Sequence, residues 1–199
     1  MGEGICVNCL LRERIERVLP PPQDDPAGPH MEEMCTIKFY LHKYDEAEKL
    51  VLEDNRETLS WGELAGAPKS LLLGRTYFYQ KEGVKARAAF EAARLPLERS
   101  VQANPRDPDQ RMSLAEAYAR LDRKEDALRE ARRAAEIIPE SKDAYFGVGL
   151  LTHLAEIYVM VGEFDLALPI IQHSLVSPAG LSTCALILSG NRSASIRAF

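Results

Sequence analysis

In SLAEAYARLDRKEDALREARRAAEIIP, residues 113–139, Leu114, Ala115 and Tyr118 fall on one helical stripe. Ala127, Leu128, Ala131 and Ala134 form a second stripe beyond the polar break Asp122–Lys124. The spacing predicts two antiparallel helices in a hairpin. Small side chains at Ala115 and Ala127 let the helices approach closely, Tyr118 fills the space beside them, and Pro139 stops the second helix.

One hairpin cannot bury its apolar face alone, so the pattern should recur in stacked neighbours. Leu73, Gly74 and Tyr77 are indeed followed by Ala86 and Phe90, and Leu154, Ala155 and Tyr158 by Gly162, Ala167 and Ile171. Gly74 to Ala86, Ala115 to Ala127 and Ala155 to Ala167 all span twelve residues. A weaker copy precedes them: Met34-Cys35 leads to Tyr44-Asp45-Glu46-Ala47 and Val51, with Lys38 where the others carry Tyr. This pattern resembles that of tetratricopeptide repeat (TPR) proteins. The resemblance implies an all-α fold, a right-handed solenoid of helical hairpins with three clear repeats and one weaker.

Ala86 to Ala127 is 41 residues and Ala127 to Ala167 is 40, longer than the TPR period of about 34. The first excess fits extra turns on the second helix, where Phe90, Ala93, Leu97 and Val101 prolong the apolar stripe and Pro96 should bend it. The second falls in ESKDAYFGVGLL (140–151), where Gly147 and Gly149 should loosen the start of the next helix. Asp107-Pro108 reads as an N-cap followed by Pro at the first helical position. Glu116 with Arg120 and Glu125 with Arg129 read as i,i+4 pairs on solvated faces.

Outside the hairpins, Val7, Leu10, Leu11, Val18 and Leu19 alternate with charged residues and predict an amphipathic helix within 1–19. Five prolines make 20–30 a linker, 31–188 is the repeat domain, and 189–199 is a polar tail. Asp54–Pro68 reads as a long connection whose Trp61 is a packed aromatic, and Leu181–Leu188 as a capping element. The 199 residues, 46% of them hydrophobic, suffice for such a core. A net charge of -5, with acids interleaved among the bases, argues against a nucleic-acid partner. No run reaches membrane-spanning length, the N-terminal residues lack the apolar core of a signal peptide, and four scattered cysteines suit reduced thiols. Cytoplasmic localisation is the expectation.

From Lys69 to about Ser182 the chain is similar to the C-terminal repeat region of bacterial multidomain regulators, in which a serine/threonine kinase or a TolB-like segment precedes TPR repeats. KSLLLG (69–74), ARAAFEAAR (86–94), LAEAYARLDRKEDALREARRAAEIIPESKDA (114–144), LAEIYVMVGEFDLAL (154–168) and SPAGLS (177–182) carry the likeness. Leu186, Leu188, Ile196, Arg197 and Phe199 echo the ending of such regions, without its Asp-Pro and Trp. The resemblance implies a non-enzymatic module binding a protein or peptide partner; the alternative it implies is a regulatory or sensory fragment lacking its catalytic domain.

No phosphate-binding glycine loop or kinase catalytic motif occurs, and His30, His42, His153 and His173 lie on separate elements without a nucleophile beside them. No catalytic residue and no cofactor is expected. Cys6-x-x-Cys9 with His30 and Cys35 offers four donors of the kind zinc accepts, but the pair falls on an apolar helix face and Cys35 takes the repeat's small-residue position. The reading is therefore no metal.

The groove follows from helix geometry. Residues two before, two after and five after each first-helix Leu point toward the concave side. These are Leu71, Arg75 and Phe78, then Met112, Glu116 and Ala119, then Thr152, Glu156 and Val159, with Tyr79, Arg120 and Met160 adjacent. Apolar anchors flanked by single charges suit a peptide or an amphipathic helix. Leu71, Arg75, Ser113, Gly149 and His153 do not build the clamp by which co-chaperone repeats hold a terminal carboxylate. On this reading Arg75→Glu with Arg120→Glu should abolish partner capture without affecting folding.

Overall fold

The computed structural model describes residues 35, 37–39, 41–61 and 64–176. It is mostly helical. After a helical stretch ending near Leu41 come α1 (Tyr44–Glu53), strands β1 (Thr58–Trp61) and β2 (Leu64–Pro68), α2 (Lys69–Tyr79) and α3 (Gly83–Ala103). Then follow α4 (Pro108–Arg120), α5 (Lys124–Ile137), α6 (Phe146–Met160) and α7 (Phe164–Val176). Each odd-numbered helix from α3 packs on the one before it, and α4 also touches α3, β2 and α6. The readings placed on residues 1–34 and 177–199 lie outside the described residues, the N-terminal helix, linker and cap included.

The four tight turns are built alike. His42, Lys81, Asp122 and Gly162 each adopt a left-handed φ, of 57°, 65°, 62° and 81°. The amide after each donates back to Lys38, Tyr77, Tyr118 and Tyr158 O, at 2.8, 2.9, 2.9 and 2.8 Å. Those bonds satisfy carbonyls that the ending helix leaves open. The next helix then begins with the amide of Ala47, Ala86, Ala127 or Ala167 donating to the residue after the turn, at 2.9–3.1 Å. The segment with Lys38 in place of Tyr turns as the others do.

Small residues sit where the helices meet. A Cβ on Gly74 would come within 2.7 Å of the Phe90 ring. Ala115, Ala127 and Ala155 are fully buried, and Ala86 and Ala167 nearly so. Tyr118 donates its hydroxyl to Glu98 Oε1 at 2.7 Å, and burial together with that carboxylate pushes its phenol up to about 12. The core runs continuously from Ala67 and Leu71 to Ala167; a smaller cluster joins Cys35, Val51, Leu59 and Leu72.

Two local expectations change. Residues 54–68 are not an unstructured connection: β1 and β2 pair antiparallel, Leu59 opposite Ala67, and Gln110 Nε2 donates to Gly66 O at 3.1 Å, tying β2 to α4. Trp61 belongs to β1 by its backbone, and its side chain is outside the described part. Gly147 does not loosen α6 but admits the preceding loop, since a Cβ there would lie 2.5 Å from Glu140 Cα. Asp143 Oδ1 caps that helix by accepting from the amides of Tyr145 and Phe146 at 3.0 Å. Asp107 caps α4 as read, accepting from Asp109 and Gln110 amides at 3.1 Å, and α3 continues through Pro96 to Ala103.

Candidate functional site

Helices α2, α4 and α6 bring one set of charges together. Arg75 of α2 faces Glu116 of α4 as a fork: Nε donates to Oε1 at 2.6 Å and Nη2 to Oε2. Their side chains are only 16% and 4% exposed. Burial works against Arg75's charge, but Glu116, with Glu156 further off, holds its pKa above the ordinary value. Burial likewise opposes Glu116's charge, and Arg75, then Arg120 and His153, hold its pKa below the usual carboxylate value. Glu116 therefore does not form a solvated pair with Arg120, and Arg129 pairs with Asp126 and Glu130 rather than with Glu125.

Arg120 is the open member. Its guanidinium carbon stands 4.0 Å from the centre of the Phe78 ring, a cation–π contact. Its Nε is buried and has no hydrogen-bond partner among the described residues. Phe78 is 46% exposed. Tyr79 meets Phe78 edge-on at 5.4 Å and stacks on Tyr44 at 5.5 Å, so an aromatic row extends from Arg120 toward α1. On α6, Glu156 Oε2 lies 3.2 Å from His153 Nδ1, and Met160 packs partly buried against the core.

Of the twelve groove residues named from sequence, Ala119 is buried and Val159 half-buried, and the other ten divide as follows. Phe78, Tyr79, Arg120, Glu156 and Met160 keep accessible surface. Leu71, Met112 and Thr152 are buried in the interior and offer none, correcting their placement on a binding face. Thr152 shows why: its Oγ1 donates to Val148 O at 2.8 Å and lies 3.2 Å from Ser174 Oγ, inside the α6–α7 contact. Arg75 and Glu116 are on the face but committed to each other. What stays open is the C-terminal end of α2, α4 and α6.

Cys6, Cys9 and His30 lie outside the described residues; Cys35 is buried, its Sγ 3.6 Å from Ala47 O. Among the described residues no cluster of three or more His, Cys, Asp or Glu is arranged to hold a metal, and no helix is long and apolar enough to cross a membrane. Compared with models of known protein families and with curated proteins, the chain matches none.

Proposed function

We propose that the chain is a TPR-like solenoid that works without catalysis, binding a peptide or partner helix across the ends of α2, α4 and α6. The observation that carries this is Arg120: a guanidinium held on an exposed aromatic ring, with no hydrogen-bond partner for its Nε and no ion pair among the described residues. The four matching turns support the repeat reading. A partner offering a carboxylate to Arg120 and an apolar side chain to Phe78 and Met160 fits the face.

Arg120→Gln and Phe78→Ala test it. Both leave the Arg75–Glu116 fork in place and neither adds a carboxylate beside Glu116, so circular dichroism and melting should stay near wild type while partner recovery from native lysate falls about tenfold or more. Unchanged recovery by both variants would place binding elsewhere. The paired substitution of Arg75 and Arg120 by Glu is unsuitable. Arg75→Glu would set two buried carboxylates against each other and unfold the face it was meant to probe.

A further inference from the structure

A second charged site shares no residue with that face. A cleft of about 480 Å³ opens where Pro105 and Arg106 lead into α4, beside the end of α5 and the connection to α6. Arg106, Arg111, Arg133 and Lys142 line it, with Glu136 as the acid among them. Glu130 binds Arg111 from behind. Four cations against those two carboxylates leave two positive charges unanswered, in a chain whose net charge is -5.

Arg111 is the fixed part of the cleft. It is 8% exposed, its Nε donates to Pro105 O at 2.8 Å, and Nη1 bonds Glu130 Oε2. Those two bonds set the guanidinium plane, and its other terminal nitrogen makes no hydrogen bond among the described residues. Arg129 and Arg133 approach the other oxygen of Glu130 at 3.1 and 3.7 Å, so that carboxylate has no capacity left to neutralise the rim. Arg106 and Lys142 are exposed and pair with no acid among the described residues.

We propose that this cleft binds a phosphate monoester dianion. A carboxylate would answer one charge with two oxygens, whereas a phosphate monoester carries nearly two charges and three acceptor oxygens. Arg111 supplies a pre-set donor, and Arg106, Arg133 and Lys142 supply mobile ones, the combination that phosphate recognition uses. Ile137 and Ile138, both half-buried, give the organic part of the ester an apolar wall. The ester can belong to a small molecule or to a phosphorylated side chain, since the cleft is open to solvent at the rim.

Titration calorimetry on the full chain separates these, with glycerol phosphate, a phosphoserine peptide and the unphosphorylated twins of both. Each phosphorylated probe should bind about tenfold or more tightly than its twin. The phosphopeptide binding tighter than glycerol phosphate identifies a side chain as the source; equal affinity identifies a small ester. Arg106→Glu with Lys142→Glu alters exposed residues only, so it should melt as wild type does and lose about tenfold in affinity for both phosphorylated probes. Phosphorylated and unphosphorylated probes binding alike, or a folded double variant binding as well as wild type, would overturn the proposal.

Discussion

Arg75 and Glu116 stand 41 residues apart in sequence and bond through both ends of the fork. A pair this deeply buried contributes little net stability when intact, because desolvation offsets the attraction, yet breaking it strands a charge at a cost of about 3–5 kcal/mol. Glu116→Gln should therefore destabilise the protein by that order at neutral pH, read as a lower urea midpoint. The pH dependence carries the sign. Glu116's pKa is lower in the folded state, so its contribution is present above the ordinary carboxylate value of 4.5 and is lost as pH falls through the folded value. In Glu116→Gln that share of the acid limb should vanish, making stability flatter below about pH 4 than in wild type. The same slope in both proteins would mean that the acid limb arises elsewhere, with Glu98, also held low against burial by Tyr118 and Arg94, the first candidate. Helical spacing placed both residues on one face of their helices but not opposite each other, because partner choice depends on how neighbouring units are offset.

Between helices, the turn was legible as a break and illegible as a geometry. Gly162 occupies a left-handed φ without strain, but His42, Lys81 and Asp122 do the same work with a Cβ. Sequence shows only a polar break in each case; the strain appears in the left-handed φ of the three residues that carry a Cβ. Lys81 is the clean test, being exposed and making no bond or ion pair through its side chain among the described residues. Lys81→Gly should stabilise by about 0.5–1 kcal/mol, the left-handed penalty of a lysine less the added freedom of glycine in the unfolded chain. Gly162→Ala should destabilise by about 1 kcal/mol for the converse reason. Urea unfolding of the two variants reads both values; a loss of stability in Lys81→Gly would show that the turn is held by something other than its φ. The hairpin β1–β2 escaped the sequence reading because its strands are short and β2 carries Gly66 in its middle, and Gln110, distant in sequence, bonds to it.

For the molecule as a whole, the helical pattern from Gly74 to Ala167 was readable because each unit repeats the same local arithmetic, whereas the pairing across the charged face and the basic cleft were not, being assembled from residues of different units. The packing of the described helices fixes how stability is distributed. From Arg111 to Ala119 every residue of α4 is buried, enclosed by α3, α5, α6 and β2. By contrast α7 leaves Phe164, Leu166 and Leu168 at 63%, 43% and 56% exposure, and α1 meets α2 and the helical stretch around Cys35 and Phe39. Opening starts at the elements with the least packing among the described residues and moves inward. Native-state hydrogen exchange should therefore show amides of α4 and α5 exchanging only near global unfolding, and those of α1 and α7 opening at free energies about 2 kcal/mol or more lower. Equal protection from α1 to α7 would mean that the continuous core from Ala67 to Ala167 welds the described helices into one cooperative body.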